Sequence, residues 1–410
     1  MRPAGRSRTL LLVLALGYLA SCGPVSNTSV CDIKGSVEGR VTLSPDRCAV
    51  YHVTGDVSVS SGGRLTIKPG AVLSFAPGTG LTVFFKGELI AAGNAKSGVL
   101  FTGDVKSRGS WKGIAFAEAD SPANRLDYVT IEYAGGEERS SPWAFGAYRT
   151  ALDLRGETRL QMTNCTIRES AGYGMTVDDA VIFGADASID GDFSGNTITA
   201  NAGYPVAAYA SRAGFLAAGN DFSGNDPGKN YVRITGNSLS AVPTQTWQKL
   251  NVPYLVNDLP TVARNSTLTI APGARLVFER DAGLLAYGQG AALKAVGTSG
   301  DPVVFTGLEK TRGYWAGLHY YKTGSYDNVL SYAIIEYGGS DKAFYNASNK
   351  GNVVMSSSGS VPLYLMVDHC DIRDSGHWGV WVHHDTTVNS DIDTVNDYAS
   401  NTDGDFKRGP

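Results

Sequence analysis

The chain has 410 residues with 39 acidic against 35 basic side chains, a net charge of −4, and this mild acidity argues against nucleic acid as a partner. Charged residues make up only 18% and glycine fills 50 positions, which points to turn-rich β structure in a chain long enough to bury a large core.

At the amino terminus, Arg2, Arg6 and Arg8 precede an apolar run from Leu10 to Leu19 that ends in Leu19-Ala-Ser-Cys22. This is the layout of a signal peptide, and a small residue before a cysteine is a lipobox. About ten apolar residues fall short of the ~20 that a spanning helix needs. Residues 1–21 are therefore read as signal and Cys22 as the lipid-bearing new terminus, with an ordinary secretory cut near Ala20 as the alternative. The segment resembles bacterial lipoproteins, which implies a cell-envelope protein held on a membrane by N-terminal acyl chains. Gly23, in place of Asp, resembles the pattern that sends lipoproteins to the outer membrane or cell surface. The mature chain keeps 32 basic against 39 acidic residues, a charge of −7.

Residues 22–50 are expected to form the anchor and an N-terminal cap. Cys31 and Cys48 lie close together in a compartment that permits disulfides and are expected to pair. Cys165 and Cys370 occupy the same place in two repeats, many layers apart in any regular stack. They exceed the ~7 Å reach of a bridge and are expected to be buried free thiols.

From residue 57 a period of eight appears: apolar-x-apolar triplets open at Val57, Leu65, Leu73, Leu81 and Leu89. Alternation marks half-buried strands, and Ser61-Gly-Gly63, Lys68-Pro-Gly70 and Pro77-Gly-Thr-Gly80 mark turns. Three steps make 24 residues, so Leu81 lies on Val57 and Leu89 on Leu65 if the chain winds as a three-sided coil, a parallel β-helix. Sandwiches, propellers and barrels also use short strands, but tight Asn-Gly hairpin turns are missing. Phe193-Ser-Gly-Asn196 and Phe222-Ser-Gly-Asn225 read as equivalent corners where Asn tolerates left-handed backbone and bonds along the stack.

The chain also repeats at long range. Leu65-Thr-Ile-Lys-Pro-Gly-Ala-Val-Leu-Ser-Phe75 returns as Leu268-Thr-Ile-Ala-Pro-Gly-Ala-Arg-Leu-Val-Phe278, and Arg108-Gly-Ser-Trp-Lys-Gly113 as Arg312-Gly-Tyr-Trp-Ala-Gly317. Ile131-Glu-Tyr133 matches Ile335-Glu-Tyr337, and Asn164-Cys-Thr-Ile-Arg168 matches His369-Cys-Asp-Ile-Arg373. Two homologous halves follow, 51–253 and 254–410, with 226–253 either a linker or an irregular coil and Asn396 to Pro410 a closing cap.

The run Val53-Thr-Gly-Asp-Val57, Leu65 to Gly70, Phe101-Thr-Gly103, Gly109 to Gly113 and Leu126 to Tyr133 resembles right-handed parallel β-helix repeat proteins of bacterial surfaces. The likeness spans about residues 31 to 400. It implies an all-β, right-handed parallel β-helix solenoid of two tandem halves and no single activity.

Carbohydrate-active β-helix enzymes need clustered carboxylates. Asp178-Asp179 and Asn401-Thr-Asp-Gly404 fall in the wrong order for a polygalacturonase-like site, and Glu132 and Glu336 stand in different halves. The densest polar segment is His377-Trp-Gly-Val-Trp-Val-His-His-Asp385. Alternation puts Val380 and Val382 inward and Trp381 and His383 outward. A metal would want His383 and Asp385 with His369 or His377; an ordinary strand and turn with surface aromatics is the preferred reading, without metal or cofactor. Trp111 and Trp315, flanked by glycines, suit either sugar stacking or packed corners. The candidate ligand-binding surface is therefore Trp111, Trp315, Trp378, Trp381, His383, His384 and Asp385.

The expected function is a lipid-anchored, non-catalytic, monomeric surface β-helix with a structural or recognition role toward a polysaccharide or protein. The alternative is a polysaccharide lyase or glycoside hydrolase acting on an acidic glycan.

Overall fold

The computed structural model describes residues 29–60, 62–141, 146–184, 192–217, 219–236, 238–239, 243–342, 349–357 and 361–409, and the backbone of 8 and 9. Cys22 and the lipobox lie outside the described residues. Two compact units divide the chain, the first holding 1–207 and 219–231 and the second 208–218 and 232–410.

In the first unit three sheets of parallel strands wind one after another. One face stacks Val50–Val59, Val72–Phe75, Val99–Gly103, Val129–Glu132, Thr166–Arg168 and Thr197–Thr199. The next stacks Gly80–Phe84, Gly113–Ala117, Thr150–Arg155 and Tyr173–Val177 on the end of Val50–Val59, and the third stacks Arg64–Ile67, Glu88–Ala92, Arg125–Asp127 and Arg159–Thr163. The period of eight is borne out to the residue: Val57 pairs with Leu81 and Leu65 with Leu89. Inward residues of these strands are sealed, with Val59, Leu73, Phe75, Val83 and Leu89 all at 0% exposure. The second unit repeats the plan, with Leu276 on Phe305, Leu284 on Leu318 and Leu268 on Leu293. The protein is an all-β parallel β-helix, right-handed as parallel crossovers are.

The segments expected to close the two ends do so as paired strands. Val30–Val37 and Arg40–Leu43 already pair with Val50–Val59 and Arg64–Ile67, and Asp397–Ala399 and Gly404–Gly409 pair with Asp371–Arg373 and Trp378–His383. Each segment covers the open edge of its neighbouring coil through backbone pairing. Val232–Thr235 and Thr244–Trp247 likewise pair with Tyr254–Val256 and Thr267–Ile270 inside the second unit, so both strands belong to the coils. Cys31 and Cys48 are bridged, with Cα atoms 6.0 Å apart, and Cys165 and Cys370 are buried and free.

The asparagine corners differ from expectation. The left-handed residues are Gly195 (φ 67°) and Gly224 (φ 74°), and the asparagines that follow, Asn196 and Asn225, are buried. They form two columns, not one. Asn196 Oδ1 accepts from the Cys165 N–H while the Asn196 N–H donates to Asn220 Oδ1, and Asn201 stands in the same relation to Ser170 and Asn225. Each side chain replaces backbone partners lost at a bend. The second unit copies both steps, the Cys370 N–H donating to Asn396 and the Ser375 N–H to Asn401.

Candidate functional site

Trp111 and Trp315 are core residues, which removes them from the proposed ligand surface. Both are fully buried; each indole N–H donates to a carbonyl at 2.8 Å, from Trp111 to Glu132 and from Trp315 to Glu336. The flanking glycines explain the inward turn. Gly113 (φ 104°) and Gly317 (φ 108°) take a backbone conformation closed to L side chains, and a Cβ there would sit 2.5 Å from the Ala151 oxygen or 2.3 Å from the Gly351 oxygen.

The twin glutamates are consumed by structure. Glu132 accepts from Thr102 at 2.8 Å and pairs with Arg168 at 2.7 Å; Glu336 accepts from Thr306 at 2.8 Å and pairs with Arg373 and Lys310. Burial pushes the Glu336 carboxyl up, but the hydrogen bonds from Thr306, Arg373 and Lys310 outweigh it and hold the group below the usual range. Asn401 is an asparagine-column residue and Asp403 accepts from His377, so Asn401-Thr-Asp403 is scaffold too.

The remaining candidates gather on the last coils of the second unit. Val380 and Val382 point inward at 0% exposure, as alternation required. Trp381 points outward yet is only 5% exposed, because it lies over Gly409 of the final strand, where a Cβ would meet its ring at 2.8 Å. Trp378 lies over Gly404 in the same way, is partly exposed, and carries Lys407 Nζ 5.6 Å from its ring centroid. His377 bridges Asp403 Oδ2 at 2.7 Å and Asp341 Oδ1 at 3.4 Å, and Lys350 also pairs with Asp341. These hydrogen bonds from Lys350 and His377 hold the Asp341 carboxyl below its ordinary range. His383, His384 and Asp385 close on one turn, whereas His369 stacks on Tyr332 and pairs with Asp368 instead of joining them. His319 is buried, its Nε2 3.1 Å from the Ala316 oxygen, and desolvation lowers it to about 4.

A second surface escaped the sequence reading. In the first unit Tyr148, Tyr173 and Tyr204 stack with centroids 6.4 and 5.9 Å apart, and Lys229 Nζ lies 4.7 Å over Tyr204. Tyr148 is buried; Tyr173, Tyr204 and Lys229 are partly exposed. Beside the column, the buried Asp153 carboxylate accepts from Arg139 at 2.8 Å, Thr176 at 2.7 Å and Tyr148 at 3.2 Å. Burial first, and the Asp153 charge second, push the Tyr148 hydroxyl up to about 12, so it acts as a donor there. The only available signal was the spacing of 25 and 31 residues, about one coil, which is hidden because coil length varies.

No protein-family model matches the chain, and no curated protein matches it. Among solved structures it is similar to the Dettilon tailspike protein, with 10% identity and a TM-score of 0.27 over 90% of this chain and 63% of the tailspike. It is also similar to the periplasmic alginate epimerase AlgG, with 8% identity and a TM-score of 0.20 over 87% of this chain and 76% of the epimerase. A double mutant of that epimerase gives 10% identity and a TM-score of 0.21 over the same shares, 87% and 76%. The chain thus spans 63% of the length of the tailspike it matches. Its class, a parallel β-helix protein, follows from its own strand pairing.

Proposed function

We propose that this chain is a lipid-anchored, non-catalytic surface protein of the bacterial cell envelope whose β-helix recognises an acidic glycan. The observation that carries the reading is the partly exposed Tyr173–Tyr204 stack ending under Lys229, with the buried Tyr148 ring packed behind it. Aromatic groups repeating about once per coil form a track along the stack, matched to a ligand that is itself a repeating chain. Ring edges and hydroxyls suit sugar hydroxyls, and the lysine favours a carboxylate or sulfate. The Trp378 and Lys407 pair of the second unit offers the same chemistry. The twin glutamates, bonded to Arg, Lys and Thr, are not poised as acid and base.

Glycan-array binding and reducing-sugar release decide between recognition and catalysis. Retention of acidic glycans without release of new reducing ends is the expected result, weakened by roughly tenfold when Tyr204 and Lys229 are both replaced by Ala, as the loss of an aromatic and a cationic contact implies. Turnover of any polysaccharide, or binding untouched by that variant, would overturn the reading. Anchoring through Cys22 is tested separately by labelled-lipid incorporation, which the Cys22→Ala variant is expected to abolish.

A further inference from the structure

We infer that the turn His383-His384-Asp385 is a binding site for a zinc-class divalent ion, independent of the glycan reading. Among the described residues it is the one group of three His, Cys, Asp or Glu side chains whose ligand atoms all lie within 4.8 Å of one another. His384 Nε2 is 3.2 Å and His383 Nδ1 3.8 Å from the Asp385 carboxylate oxygens. A tetrahedral ion with bonds of about 2.0–2.2 Å spaces its ligands by roughly 3.3–3.5 Å. Side-chain rotations that close the ligand atoms from within 4.8 Å to that spacing would complete the geometry. Two imidazoles and one carboxylate select zinc, copper or nickel over calcium or magnesium, which prefer oxygen.

The turn is built to hold that arrangement. His383 ends the strand Trp378–His383, its side chain 16% exposed, with its imidazole 4.2 Å from that of His384. The Asp385 N–H donates to His383 Nδ1 at 3.2 Å and so fixes the orientation of the ring within the turn; the ion would replace this one bond. Behind the turn, the His384 N–H donates to the Gly409 oxygen at 2.7 Å, and Arg408 Nη1 donates to the carbonyls of His384 at 3.0 Å and Thr386 at 2.7 Å. The Arg408 cation is spent on backbone oxygens behind the site. His384 and Asp385 are 58% and 65% exposed, which leaves the fourth coordination position open to an oxygen donor from solvent or a ligand.

Full-length protein, purified without a histidine tag and stripped with chelator, is titrated with Zn2+ by calorimetry and with Co2+ by visible absorption. One ion per chain is expected, with a tetrahedral Co2+ spectrum. Even outer-shell changes weaken metal sites by roughly 10–100-fold, so His384→Ala and Asp385→Ala, both exposed and neutral to folding, are expected to cost at least that. His377→Ala, which leaves the turn intact, is expected to change nothing. No stoichiometric binding, or affinity that survives in the His383→Ala/His384→Ala double variant, would overturn the assignment; circular dichroism checks that each variant is folded.

Discussion

Trp315 lies flat on Phe278, ring centroids 4.1 Å apart and planes 8° apart. Trp111 lies on Phe75 at 4.0 Å and 17°, so the two halves repeat a packing unit and not a sugar platform. Removing a buried Trp costs about 3–5 kcal/mol, and it strands a carbonyl as well. Trp315→Ala is expected to destabilise by that amount in urea unfolding. A loss under about 1 kcal/mol would mean that the side chain is not core.

Gly317 should resist substitution far more than Gly300. At Gly317 φ is 108° and a Cβ would meet the Gly351 oxygen at 2.3 Å, whereas nothing lies within 4 Å of a Cβ at Gly300. Left-handed strain and overpacking together cost roughly 2–4 kcal/mol. Thermal unfolding of Gly317→Ala is expected to show this loss, with Gly300→Ala within about 0.5 kcal/mol of the parent.

The cysteines divide into two chemical kinds. The Cys31–Cys48 bridge closes a separation of 17 residues, and its reduction should cost about 3 kcal/mol by loop entropy. Burial pushes the Cys165 and Cys370 thiols up to about 12, so neither should react with a thiol reagent near neutral pH until the chain unfolds. Rapid labelling of native protein would contradict this.

His319 makes stability depend on acid. Its folded value of about 4 lies below the ordinary 6.5, so between these values the unfolded chain binds a proton that the folded chain does not. Stability therefore falls as pH drops from 6.5 toward 4, by on the order of 3 kcal/mol. Ala115 holds the equivalent place in the first unit, paired with Asp153 as His319 is with Val354. His319→Ala is expected to flatten the profile over that window, and an unchanged slope in pH-dependent unfolding would sink the assignment.

Much of the scaffold was legible because a stack constrains sequence locally. Inward positions need apolar residues at period two, corners need residues that accept left-handed backbone, and both recur coil after coil. Leu65 and Leu89 could thus be paired from spacing alone, and Cys31 with Cys48 from proximity. The asparagines were placed at corners, but their division into two columns depends on coil lengths set by insertions.

What spacing could not reveal was which outward residues are covered and which distant ones meet. Trp381 alternates outward, yet Gly409 seals it; Trp111 suits either a sugar platform or a packed corner until the positive φ of Gly113 turns it inward. The tyrosine column, the Lys407 contact to Trp378 and the side-chain geometry of His383, His384 and Asp385 are likewise tertiary facts. Sequence dictates the strands because burial and turn geometry act within one coil. Side-chain partnership on the outer face acts between coils, so only the stacked structure decides it.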